Sequence, residues 1–232
     1  MLGQDDALLI AKFPSPGDDW PVPRWEAVAM ELARAAAIDV PPAMLHIVQD
    51  RPIFLMRRFD RTTAGGRIPF ISAMTALAAR DGDVRSYIEL CDPLRQDGAA
   101  PERDTAQLWR RMVFNILISN TDDHLRNHGY LRESGGWRLS PAYDLNPMPI
   151  DVKPRHHALT IDETDDASSL ETALGVAGYF GLRLTKARRI AAEVGAAVAA
   201  WRSVATAHGL TPAQIDRMGS AFEHEDLRNA LA

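Results

Sequence analysis

The chain has 232 residues, 46% apolar and 25% charged, which fits an ordinary globular protein with one core or two lobes and excludes a disordered chain. A net charge of −5 provides no global positive field for nucleic acid, and a single cysteine, Cys91, excludes an internal disulfide. No Cys/His pairs have zinc-finger spacing, the first residues lack the basic and apolar regions of a signal peptide, and no run of about 18 apolar residues occurs, so the expected compartment is the cytoplasm.

In chain order, Ala7 to Phe13 is a short apolar run that predicts a strand, ended by Pro14, Pro16 and Gly17. Trp25 to Ile38 carries Trp25, Val28, Ala29, Leu32, Ala33 and Ala36 at helical spacing and is stopped by Pro41 and Pro42. Met44–Gln49 and Ile53–Phe59 predict two strands joined by a turn at Asp50-Arg51-Pro52. Helices are expected over Phe70–Ala79 and Val84–Cys91, followed by a polar link from Asp92 to Pro101. Asp104 to Ser119 is the clearest amphipathic helix, with Trp109, Met112, Val113, Ile116 and Leu117 on one stripe. A hairpin is expected from Gly129–Leu131 and Gly136–Leu139 around Glu133-Ser-Gly-Gly. Helices over roughly Ser168–Tyr179, Thr185–His208 and Thr211–Phe222 complete the chain, with Thr185 and Thr211 as N-caps. Trp20, Trp25 and Trp109 read as core or lid residues. The pattern predicts an α+β chain: strands and one helix over residues 1–61, then a mainly helical part over 62–232.

Chemistry concentrates in Asn120-Thr-Asp-Asp-His-Leu-Arg-Asn127 and Ser140-Pro-Ala-Tyr-Asp144. Taken singly, such Asp and Asn residues are turn or cap residues. Together, an Asp five residues before an Asn, with a second Asp 17 residues further on, match the layout of phosphoryl-transfer sites. Asp122 would orient and deprotonate an acceptor hydroxyl, and Asn127 and Asp144 would hold Mg²⁺ against the phosphates of ATP. Lys12, at the end of the first strand, and Glu26, on the next helix, fit an ammonium fixed on the α/β-phosphates; the alternative is an exposed Lys and an unrelated Glu. Phe54 to Arg61 ends the small half, where Phe59 would stack on adenine; the alternative is an edge strand with a solvated Arg/Asp cluster. His124 and His128 stand four apart, but a transition-metal site would need distant partners such as His156-His157. His124 reads instead as a loop brace or a phosphate contact.

The chain resembles the HipA family of bacterial toxin–antitoxin serine/threonine kinases. The resemblance is carried by Ile10-Ala-Lys-Phe-Pro14, Asp18-Asp-Trp20, Trp25-Glu26, Arg58-Phe-Asp-Arg61, Asn120 to Gly129 and Trp137 to Asp144, nearly the whole length. It implies a protein-kinase-like bilobal fold, with a small, partial β-rich N-lobe over 1–61 and a mostly helical C-lobe over 62–232. It implies Asp122 as catalytic base, Asn127 and Asp144 as Mg²⁺ ligands and His124 as a phosphate-side contact. Lys12 would bind the α/β-phosphates, and Arg57 to Phe59 would line the adenine pocket. It also implies ATP as phosphoryl donor and a protein substrate, in known relatives an aminoacyl-tRNA synthetase, whose phosphorylation halts translation and growth. A small DNA-binding, HipB-like antitoxin is the implied partner, so DNA would be met only through it, and no membrane is involved.

Two departures qualify these expectations. Arg57 stands where relatives often have a hinge Glu, and only eleven residues precede Lys12, too few for a glycine- or serine-rich phosphate-covering loop. The expectation is therefore an N-terminally truncated kinase: a fragment, one half of a split system completed by an N-terminal subunit, or a non-catalytic relic. Competing classes are an interaction module that binds nucleotide or antitoxin, and a small-molecule kinase.

Overall fold

A computed structural model describes residues 7–153, 155, 158–162 and 169–232. His156 and His157, and the expected helix start at Ser168, lie outside the described residues. The chain opens with β1 (Leu9–Lys12), α1 (Val22–Ala35), β2 (Ala43–Val48) and β3 (Arg51–Arg57). These strands form an antiparallel sheet in the order β1-β3-β2, with Lys12 opposite Phe54. The β2–β3 turn is one step earlier than expected, at Gln49 and Asp50, both with positive φ. That left-handed pair matches the twist of a two-residue hairpin, so Arg51 and Pro52 belong to β3. Pro52 is tolerated in this central strand because β1 pairs only with Phe54 to Arg57.

The expected helix over Phe70–Ala79 divides into β4 (Phe70–Ser72) and the single turn α2 (Ala73–Ala76). Strand pairing overrides helical periodicity here: Phe70, Ile71 and Ser72 pair with Leu131, Tyr130 and Gly129. Ser72 then caps α2 by accepting from the Thr75 N–H at 3.2 Å. The second expected helix, Val84–Cys91, contracts to a 3₁₀ turn at Glu89–Cys91, because Arg85 to Tyr87 pairs with Thr160; Glu89 caps the start by accepting from the Ser86 N–H at 2.8 Å. The presumed link holds α3 (Asp92–Asp97).

The central helix α4 (Pro101–Leu117) is buried on almost every side over its second half rather than along one stripe, with Leu108, Trp109, Met112 to Phe114, Ile116 and Leu117 fully enclosed. The hairpin follows as β5 (Gly129–Glu133) and β6 (Gly136–Leu139), and with β4 it makes a second sheet in the order β4-β5-β6. Asp104 of α4 clamps this sheet, accepting from Arg138 at 2.7 and 3.0 Å and from the Leu139 N–H at 3.0 Å.

The remaining helices are α5 (Leu170–Gly175), α6 (Leu184–Ala199), α7 (Trp201–Ala207), α8 (Pro212–Phe222) and the unexpected α9 (Glu225–Leu231). Thr211 caps α8 through a reciprocal capping box with Gln214, whereas Thr185 lies inside the first turn of α6. Trp25 of α1 packs against the stacked rings of Trp201 and Phe222, at separations of 6.3 and 6.2 Å. Helix α1 is therefore held by the C-terminal helices as well as by the first sheet, which fixes Glu26 relative to α4 and its following loop. Trp109, like Trp25, is core, and Trp20 packs at its edge under Arg217.

Candidate active site

Lys12 leaves the end of β1 with its ammonium 2.7 Å from Glu26 Oε1 and 2.5 Å from Asp144 Oδ1. Residues separated by 132 positions thus meet at one cation. Glu26 is fully buried on α1, and its second oxygen has no hydrogen-bond partner. Burial raises its pKa to about 7 against the pull of Lys12. Burial also opposes the charge on Lys12, but Glu26 and Asp144 outweigh it and leave the Lys12 pKa raised. A buried ion pair that leaves one carboxylate oxygen unpartnered is poor evidence for stability. It does fix the ammonium in one place.

Asp144 follows the second sheet with φ of 59°. This left-handed conformation, which Asp tolerates better than most residues, turns its carboxylate back towards Lys12. Asn146 Nδ2 donates to Asp144 Oδ1 at 3.1 Å, while Asn146 Oδ1 is buried without a partner. The preceding Tyr143 ties the site together: its hydroxyl donates to the Arg126 carbonyl at 2.7 Å and its ring lies 5.5 Å from that of Phe59.

The loop after α4 is over-determined beneath its surface. Asn120 Nδ2 donates to Asn115 Oδ1 at 3.1 Å, and Ser119, with φ of 51°, anchors to the Ala221 carbonyl at 2.8 Å. Asp123 is 2% exposed and accepts from Tyr87, from Asn115 Nδ2 at 3.0 Å and from His128 Nε2 at 2.9 Å. This network accounts for His128, which is a buried partner of Asp123. Asp122 faces the other way, with its side chain 67% exposed. Asn127 lies 7% exposed at the end of a 3₁₀ turn and its Nδ2 donates to the Asp122 carbonyl at 3.4 Å, so its amide oxygen is the acceptor it has to offer. His124 Nδ1 is buried without a partner, at the edge of a groove formed with Met74, Arg80 to Val84, Leu125 and Arg126.

Lys12, Glu26 and Asp144 are therefore in direct contact, and Asp122, Asn127 and His124 share one loop. Tyr143 joins that loop to Asp144 and to Phe59. Arg57 is different: its backbone N–H is used by the Pro42 carbonyl at 2.8 Å, and among the described residues its side chain makes no polar contact with the others. The Arg/Asp cluster considered for the hinge is real: Asp60 binds Arg58 at 2.8 and 2.5 Å and Arg61 at 2.5 Å, holding its carboxyl down at about 2. Oxygen donors from Asp144 and Asn127, beside the orphaned oxygen of Asn146, suit a hard divalent cation such as Mg²⁺. Two features escaped the reading of the sequence. Asp123 looked interchangeable with its neighbour, and Lys153, 3.4 Å from Asp122 Oδ1, comes from a segment with no motif.

The model of the HipA-like C-terminal domain matches residues 2–201. Among curated proteins, the chain is 29% identical over 148 residues to putative kinase Y4mE of Sinorhizobium fredii, covering 59% of this chain and 33% of that one. It is 24% identical over 147 residues to toxin YjjJ of Escherichia coli, covering 60% and 33%. The aligned region spans about a third of the length of these relatives. Among solved structures, HipA of Shewanella oneidensis, in a complex with HipB and operator DNA, superposes with a TM-score of 0.73 at 16% identity over 96% of this chain and 57% of that one. The proinflammatory kinase CtkA of Helicobacter pylori gives 0.57 at 13% identity over 98% and 90%. These neighbours share a kinase-like fold with the chain. With the family match spanning most of its length, the chain belongs to the family of HipA-like C-terminal domains.

Proposed function

We propose that the chain is a serine/threonine protein kinase that transfers the γ-phosphoryl group of ATP to a protein hydroxyl, acting in the cytoplasm as a growth-arresting toxin. The convergence of Lys12, Glu26 and Asp144 on one ammonium carries this reading, because it places a fixed cation beside a cation-binding carboxylate. Residues 1–61 form the nucleotide lobe and 62–232 the helical lobe. Lys12 binds the α/β-phosphates and is held by Glu26. Asp144 and the Asn127 amide oxygen hold Mg²⁺, which when bound neutralises phosphate charge. Phe59, packed on Tyr143, offers an aromatic face to adenine. His124, whose Nδ1 is buried without a partner among the described residues, would contribute a phosphate-side contact. Asp122, exposed at the loop surface, orients the acceptor hydroxyl and takes its proton.

The solved complex of the Shewanella protein with HipB and DNA supports a small antitoxin as partner. A translation factor such as an aminoacyl-tRNA synthetase is the substrate class that the family points to.

A second reading, a kinase-like module completed by another subunit, is favoured by β1. Among the described residues it is an edge strand, with Leu9 and Ile10 in it and Leu8 and Phe13 beside it exposed. The deciding experiment measures Mg²⁺-dependent ATP binding and ³²P transfer to protein by the wild-type chain and Asp122→Asn. The kinase reading expects binding in both and transfer only in the wild type. Binding without transfer in either favours the module, and phosphate on sugars but never on protein favours a small-molecule kinase.

A further inference from the structure

Positive charge in this chain is carried almost entirely by arginine: of 26 Lys and Arg residues, only Lys12, Lys153 and Lys186 are lysines. Lys186 is exposed on α6. The other two each touch a carboxylate of the site, Lys12 at Asp144 and Lys153 at Asp122. A chain that otherwise uses arginine keeps the compact, rotatable ammonium for its two site positions. The ammonium is the side chain suited to a point contact on a phosphoryl oxygen rather than a planar fork.

Lys153 is delivered to this place by the backbone. Met148 N–H bonds to the Ser119 carbonyl at 3.2 Å and Ile150 N–H to Ser220 Oγ at 3.1 Å. The Val152 and Lys153 N–H groups turn back onto the Pro149 carbonyl at 3.0 and 3.3 Å. Beyond it, Arg155 is tied to the Ile116 carbonyl at 3.2 Å and to Asp226 at 2.8 Å. Between these anchors the Lys153 ammonium lies 3.1 Å from the Thr121 carbonyl and 3.4 Å from Asp122 Oδ1. An ammonium has three donors, and among the described residues these are its two partners. Stability does not explain the arrangement, because Lys153 and Asp122 are 39% and 67% exposed and such pairs contribute little.

We propose that Lys153 is a further catalytic residue, whose remaining donor binds an oxygen of the transferring phosphoryl group at the Asp122 end of the site. The inference rests on the kinase reading. An acceptor hydroxyl held by Asp122 must stand in line with the phosphorus, so a cation touching Asp122 is within reach of the equatorial oxygens on which charge spreads. Lys12 would serve the leaving side and Lys153 the attacking side.

The test compares binding of Mg²⁺·ADP with and without aluminium fluoride, which mimics the transferring group, by calorimetry on the whole chain. Wild type is expected to bind the fluoride complex more tightly than ADP alone. Lys153→Met should lose about tenfold or more of that preference, with ADP affinity and melting temperature unchanged, and Lys153→Arg should recover part of it. A Lys153→Met chain that retains the full preference, or loses ADP affinity to the same degree, overturns the proposal. Wild type that binds ADP with no gain from fluoride overturns it while leaving nucleotide binding intact. Wild type that binds neither overturns the kinase reading itself.

Discussion

The Lys12 end and the Asp122 end of the site are built on opposite principles. At Lys12, a fully buried Glu26 and a left-handed Asp144 fix one ammonium, and burial holds the Glu26 pKa near 7. At Asp122, the carboxylate stands two-thirds exposed, touched among the described residues at 3.4 Å by a half-exposed lysine. The rigidity of that end lies one residue along, in the buried network of Asp123, Tyr87, Asn115 and His128. A group that must grip the same phosphates in every cycle gains from being locked in advance. A group that must meet a large protein acceptor has to remain open, and it borrows its position from a locked neighbour.

This contrast breaks first if Asp122 and Asp123 prove alike. Asp122→Asn is expected to cut phosphoryl transfer by about 10³-fold while leaving the melting temperature within error, since it removes an exposed charge. Asp123→Ala should instead destabilise the chain by about 3 kcal/mol in urea unfolding, because Tyr87, Asn115 and His128 lose their shared buried acceptor. Equal stability losses in the two variants would remove the distinction.

Lys12→Met should weaken Mg²⁺·ATP binding by about tenfold or more, read by calorimetry, because the fixed cation is lost. Glu26→Gln sharpens the comparison through pH. The folded-state pKa of Glu26, about 7, lies above its ordinary 4.5, so the folded chain holds this proton more tightly than the unfolded chain. That stabilising contribution is fully present below 4.5 and is lost as pH rises through 7. Glutamine cannot ionise, so Glu26→Gln should match wild type near pH 4 and exceed its stability by about 3 kcal/mol at pH 8, in melting curves across pH. It should still bind nucleotide less tightly, which separates function from stability at one residue. The smallest effect is expected of Tyr143→Phe, which deletes only the bond to the Arg126 carbonyl and should cost about 1 kcal/mol in the same unfolding assay.

Much of the first half was legible because local pattern and packing agree there. The Trp25 to Ala36 stripe is the buried face of α1, and Lys12 and Glu26 are in contact as their strand–helix spacing suggested. Pattern failed where tertiary pairing outbid it. Phe70–Ser72 has helical neighbours but is captured by β5, and Arg85 to Tyr87 is captured by Thr160, so helical turns begin only after Ser86, which Glu89 caps. Arg57 is expected beside the adenine; its backbone N–H bonds to the Pro42 carbonyl, and among the described residues its side chain makes no polar contact with the other site residues. Adjacent Asp122 and Asp123 are chemically identical letters; only the fold separates an exposed carboxylate from a buried one.

By itself, the sequence determined the chemistry on offer: two Asp and one Asn at kinase spacing, a strand lysine, a helix glutamate, and the loop wording of one family. These are properties of residue type and separation along the chain. The tertiary structure decided which oxygens stand free, which are consumed in the scaffold, and that Lys153, 31 residues from Asp122, comes to rest against it. The reason is physical. Burial and anchoring are set by contacts between distant segments, and those contacts assign different work to identical side chains.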